Sequence, residues 1–195
     1  MTPAPLTALL LTLLPFGGGE PHPEQDPAAQ EQEAPRPEAL DSLYDELAAA
    51  GSEEAAAAVA TQIETLWESS GSATADLLME RATAAMAADD QDMAERHLDD
   101  ALRFAPDYAE GWVRRAQLYS RRDEHSEALA ALEKALTADP RHYRALMTLA
   151  RTLDSMNSAQ GAYEAFGEAL KVHPFLEEAE QERRRLAPQV EGREL

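Results

Sequence analysis

At 195 residues the chain can bury one sizeable core, and its abundant alanine with only 6% aromatics favours helix over sheet. It contains no cysteine, which excludes disulfides, thiolate zinc sites and a lipid-modified N-terminal cysteine. The formal charge is −20: residues 1–108 hold 22 acids and 4 bases (net −18), residues 109–195 hold 15 acids and 13 bases (net −2), and such a chain repels nucleic-acid phosphates and anionic lipid.

The first element is an apolar run of 11 residues, "LTALLLTLLPF", from Leu6 to Phe16. It is too short to span a bilayer as a helix. The small residues "GGG" follow it, so residues 1–19 read as a secretory signal, although no Lys or Arg precedes the run. This predicts a periplasmic or secreted protein with no stable membrane insertion; cell fractionation is the test. Residues 20–38 are rich in Pro, Glu and Gln, with no apolar residue larger than alanine, and predict a disordered, extended spacer.

Helices are predicted from Ala39. Leu40, Leu43, Tyr44 and Leu47 fall on one face, and Gly51 ends that helix. Ser52 is placed to cap the next helix, whose apolar face is Val59, Ile63, Leu66 and Trp67 and which Gly71 closes. Residues 39–72 therefore form a helical hairpin.

From Ala75 the chain repeats itself every 34 residues, in blocks 75–108, 109–142 and 143–176. The eighth place is small (Ala82, Ala116, Ala150), as is the twentieth (Ala94, Ala128, Ala162). The twenty-fourth is large and apolar (Leu98, Leu132, Phe166), the twenty-seventh is alanine (Ala101, Ala135, Ala169), and the thirty-second is proline (Pro106, Pro140, Pro174). Trp112 and Tyr119 hold the fourth and eleventh places of the middle block.

This pattern resembles the tetratricopeptide repeat over about 100 residues without insertion. It departs from the family at Arg81 and Arg115, where leucine is frequent, and at Asp89, Asp123 and Asn157, where a turn glycine is usual. An arginine stem can cover apolar surface, and Asp and Asn tolerate the left-handed conformation. "SGSATADLLMER" and "YAEGWVRRA", after an acidic helix pair containing "LW", are also similar to small exported repeat proteins of alphaproteobacteria. The resemblance implies an all-α fold, an antiparallel helix-pair solenoid of three units. Its helices are expected near 75–88, 91–104, 109–122, 125–138, 143–156 and 159–172. A C-terminal capping helix follows within 177–187, with Phe175, Leu176, Ala179 and Leu186 turned inward, and then a tail, 188–195. The 39–72 hairpin is expected to cover the opposite end of the stack.

In the family the first helices of successive units line a concave groove that binds peptides or protein surfaces. Carried over by place (the second, fifth, sixth, ninth, twelfth and thirteenth of each block, Glu110, Ser120, Thr148 and Ser155 among them), the groove supplies as site residues Met79, Met86, Arg114, Gln117, Arg121, Arg144, Met147 and Arg151. Arg114 and Arg121 share one helix face, as do Arg144 and Arg151 on the next helix. Arginine forks match carboxylates, so the expected partner is a protein or peptide of acidic character or with a free C-terminus. The bland alternative is four solvated arginines beside local acids. The family's Lys/Asn clamp for a terminal carboxylate is absent, since Met79 and Thr83 hold the matching places. The three methionines suggest a soft adaptable strip, although methionine on a helix is more often core filler. A structural role through self-association of the stack, as a homo-oligomer, is the alternative function.

Catalysis is not expected. His22, His97, His125, His142 and His173 show no metal-ligand spacing such as HExxH, "GGG" does not join a strand to a helix, and no serine has a nucleophile-elbow context. No metal and no cofactor are called for.

Overall fold

Each of the three central helix turns stops on a residue with positive φ at the same place: Asp89 at 57°, Asp123 at 58° and Asn157 at 60°. The next amide then reaches back over the helix end, Asp90 N–H to Ala85 O, Glu124 N–H to Tyr119 O and Ser158 N–H to Leu153 O, each at 2.9 Å. This is the 6→1 bond of a Schellman cap, made here without glycine because short polar side chains tolerate the left-handed region. It satisfies the last carbonyls and turns the chain into the second helix of the pair.

The computed structural model describes residues 36–192. Among the described residues there are nine helices and no strand: α1 (Arg36–Ala48), α2 (Glu53–Trp67), α3 (Ala73–Ala87), α4 (Gln91–Phe104), α5 (Ala109–Arg121), α6 (His125–Ala138), α7 (Tyr143–Ser155), α8 (Ala159–Val172) and α9 (Glu177–Glu191). The expected signal, residues 1–19, lies outside the described residues, as does the expected spacer apart from its last residues. Those residues already belong to α1, which starts at Arg36, with Pro37 near its start and Glu38 in its first turn.

Helices α3–α4, α5–α6 and α7–α8 are the three antiparallel pairs of the solenoid. Ala94, Ala128 and Ala162 are fully buried, as are Ala101, Ala135 and Ala169, with Leu98, Leu132 and Phe166 between them. Small side chains let paired helices approach, and the large one fills the space left. Between pairs the fit is as close. A Cβ on Gly111 of α5 would stand 2.9 Å from Leu102 Cδ2 of α4.

The C-terminal cap is α9, packed on α8 with Ala179 and Leu186 fully buried and Phe175 and Leu176 half-buried against the same core. It does not end at 187 as expected. It runs through Pro188 to Glu191. Proline removes one helical hydrogen bond near an end that solvent can reach, and the turn continues with Gly192 N–H to Pro188 O at 3.2 Å.

The α1–α2 hairpin does not cover the outer face of α3–α4. Its buried side chains Tyr44, Leu47, Val59, Ile63 and Trp67 join one apolar cluster with Tyr143, Met147 and Phe166 of the third pair, and α1 packs against α8. The hairpin therefore folds back over the stack. Residues 68–72 make the reversal, with Gly71 at φ +82°. The face it leaves uncovered keeps Leu77 48% and Phe104 59% exposed.

Candidate functional site

Helix starts α5 and α7 bring Glu110 and Arg144 together across neighbouring pairs, 34 residues apart and at the same place in their blocks. Glu110 is buried, 3% exposed, yet charged groups surround it. Its Oε1 accepts from Arg114 Nε at 2.7 Å and from Arg144 Nη1 at 2.9 Å. Its Oε2 faces His142 Nε2 at 3.4 Å, the long limit of a hydrogen bond, and neither atom has a shorter partner. Burial alone would raise the Glu110 pKa. The contacts with His142, Arg144 and Arg114 outweigh it and hold the carboxyl below its ordinary range.

His142 is fully buried and caps α7, its Nδ1 accepting from Ala145 N–H at 3.3 Å. An accepting Nδ1 assigns the ring proton to Nε2, which points it at Glu110. The ring lies flat on Trp67 of α2, centroids 3.7 Å apart and planes 7° from parallel. Trp67 Nε1–H donates to Tyr44 O–H at 3.2 Å, and that hydroxyl donates to Asp139 at 2.5 Å. Burial first, and then the Asp139 charge, push the Tyr44 phenol up, so it stays a donor. Tyr143, raised chiefly by burial and then by Glu64, donates to Glu64 Oε1 at 2.9 Å. Arg144 reaches the same oxygen at 3.1 Å, with its guanidinium 5.1 Å over the Trp67 ring.

The eight expected groove residues thus divide. Arg114 and Arg144 are committed to Glu110, and Arg144 also to Glu64 of the hairpin. Met79 (6% exposed) and Met147 (5%) belong to the core and offer no strip to a partner, and Met86 is half-buried against the first pair's core. The physical reason is that the fifth place of each block is apolar (Met79, Val113, Met147) and turns inward.

Gln117, Arg121 and Arg151 line an open groove of about 410 Å³ together with Ser120, Thr148 and Ser155. Ser120 Oγ and Thr152 Oγ1 meet at 3.2 Å and tie α5 to α7 along its floor. Arg151 forks onto Glu178 of α9 at 2.8 and 2.5 Å. Arg121 is exposed and, alone of the four expected arginines, has no ion pair among the described residues.

Glu64, Trp67 and His142 were absent from the expected site, and Glu110 was carried over as a groove position but lies buried. One signal was legible: an acid and a base at equivalent places of adjacent blocks, Glu110 and Arg144, point at each other when the blocks stack. Nothing local announces that Trp67 lies on His142, because the hairpin falls outside the 34-residue frame.

The sequence model of the tetratricopeptide repeat matches residues 121–181. A TPR repeat-containing protein of Rhizobium etli is 32% identical over 153 residues, covering 78% of this chain and 75% of that protein. Among solved structures, the first TPR of Spaghetti (RPAP3), bound to HSP90 peptide SRMEEVD, matches with TM-score 0.58 at 17% identity, over 60% of this chain and 93% of that one. The TPR2B domain of yeast Sti1, in a pHsp70 complex, matches with TM-score 0.57 at 22% identity, over 60% of this chain and 99% of that one. At such identities the structural likeness is one of fold.

Proposed function

The chain belongs to the tetratricopeptide repeat family, and from that premise we propose that it is a non-catalytic protein-interaction module holding an acidic peptide segment in the open half of its concave face. The observation that carries the reading is Arg121, an unpaired cation in a groove lined by hydroxyls and an amide. Its fork suits a carboxylate, and Ser120, Thr148, Ser155 and Gln117 supply donors and acceptors for a backbone. Arg151 adds a second fork when a partner carboxylate takes the place of Glu178. One structural neighbour of the same fold is bound to an HSP90 peptide and another is in a pHsp70 complex, which supports the reading at the level of the family.

The test is anisotropy with labelled SRMEEVD and a control peptide whose acids are replaced by lysine. The full chain should bind the acidic peptide, and Arg121→Ala should weaken binding roughly tenfold or more, the worth of about one hydrogen bond to a charged group. Equal binding of both peptides, or an Arg121→Ala variant that binds like the parent, overturns it.

Self-association is a second reading, favoured by Leu77 and Phe104 on the uncovered outer face of α3–α4. Light scattering at high concentration decides it, since a strict monomer leaves that face without a copy to pair with.

A further inference from the structure

We infer that the α1–α2 hairpin is an internal ligand of the starts of α5 and α7, and that an acidic partner carrying an aromatic side chain docks there by taking the place of Glu64 and Trp67. The inference rests on the groove reading above and adds its regulation.

The position of the hairpin is the first argument. It does not cover the outer face of α3–α4, where an N-terminal cap would sit. It meets Tyr143 and Arg144, the first and second places of a first helix, at the start of α7. What it presents there is an acid and an aromatic one helical turn apart: Glu64 on the Arg144 and Tyr143 heads, Trp67 on the His142 ring. Charge complementarity is therefore already displayed by the occupant. Arg141 repeats it at the rim, pairing with Asp45 at 2.7 Å.

The attachment is the second argument. The hairpin is tethered to α3 by residues 68–72 alone. The start of α3 is capped from its own side, with Ser72 Oγ accepting from Ala75 N–H at 3.4 Å and Asp76 Oδ1 accepting from Ser70 N–H at 2.7 Å. Those bonds persist whether or not the hairpin is seated. The first and second pairs likewise hold apolar clusters of their own that include no hairpin residue. Release thus leaves the first and second pairs with their own cores, while the third pair and α9 share theirs with the hairpin.

Trp67, Tyr44 and Ile63 are buried, so the hairpin does not leave unaided. A partner must replace its contacts, and the apparent affinity falls by the fraction of chains with the seat open. Weakening the hairpin raises that fraction.

The experiment uses the full chain and, as probe, a labelled peptide of its own residues 36–68. Trp67→Ala should bind the probe at least tenfold more tightly than the parent, and adding Arg144→Ala should abolish the gain. Glu64→Gln, a milder change, should give a smaller gain in the same direction. Hydrogen exchange of the parent should show α2 amides opening before those of α8. A Trp67→Ala chain that binds no tighter, a gain indifferent to Arg144, or α2 and α8 exchanging as one unit overturns the inference. The groove reading fails separately, when SRMEEVD binds neither the parent nor Trp67→Ala.

Discussion

Glu110→Ala should lower the unfolding free energy by about 2–3 kcal/mol at pH 7, in urea titrations monitored by circular dichroism. Removing one partner of a buried ion pair costs roughly 3–5 kcal/mol. The value is reduced here because the Arg114 and Arg144 side chains are each 31% exposed and recover some hydration. Glu110→Gln keeps the shape but not the charge. Its amide oxygen can take the place of Oε1 and accept from both arginines, but its NH2 then faces the donor His142 Nε2–H and no charge answers the guanidiniums, whereas the carboxylate accepts from all three. The loss should therefore persist in the glutamine variant. Full recovery there would mean that packing, not charge, holds the site.

The pH dependence of this difference has a definite sign. The folded carboxyl titrates below its ordinary value of 4.5. Its contribution is complete above that value, where the unfolded carboxyl is also ionised, and is lost as pH falls through the folded pKa. Parent and Glu110→Ala curves should run apart at pH 7 and converge under acid. His173, pushed down chiefly by burial, begins to subtract stability as pH falls below its ordinary 6.5. Both chains share that decline, so it cancels in the difference.

The stack was legible because its determinants are local and repeated. Ala94, Ala128 and Ala162 announce close helix pairs, and Asp89, Asp123 and Asn157 announce the turns between them. What the periodic pattern does not carry is any partner outside its own frame. Tyr44 finds Asp139 across 95 residues of chain, and no spacing rule reaches that far. The destination of the hairpin was misread for that reason, and with it the state of half the groove. Of the arginines grouped by helix face, Arg114 and Arg144 turned out to serve the interior while Arg121 stayed free. Charge alone could not separate them, because the separating group is Glu110, an acid buried among bases.

Trp67→Ala should have the largest effect on stability. Truncating a buried tryptophan costs about 3–5 kcal/mol. At roughly 2–4 °C per kcal/mol for a chain of this size, Tm falls by about 6–20 °C. The ring is at once the platform under His142, the donor to Tyr44 and the face beneath Arg144. Trp67→Phe keeps an aromatic face and loses the N–H, so its cost should be nearer the worth of one hydrogen bond, about 1 kcal/mol. The location of the loss matters more than its size. Because the hairpin shares its core with α7, α8 and α9 but not with the clusters of the first two pairs, the first transition of Trp67→Ala should remove helical signal from α1–α2 and leave α3–α6 folded. Trp112, half-buried on α5, then reports the second transition by fluorescence. A single transition seen alike by circular dichroism and by Trp112 would instead make the hairpin an inseparable wall of the solenoid, and its seat no place for another chain.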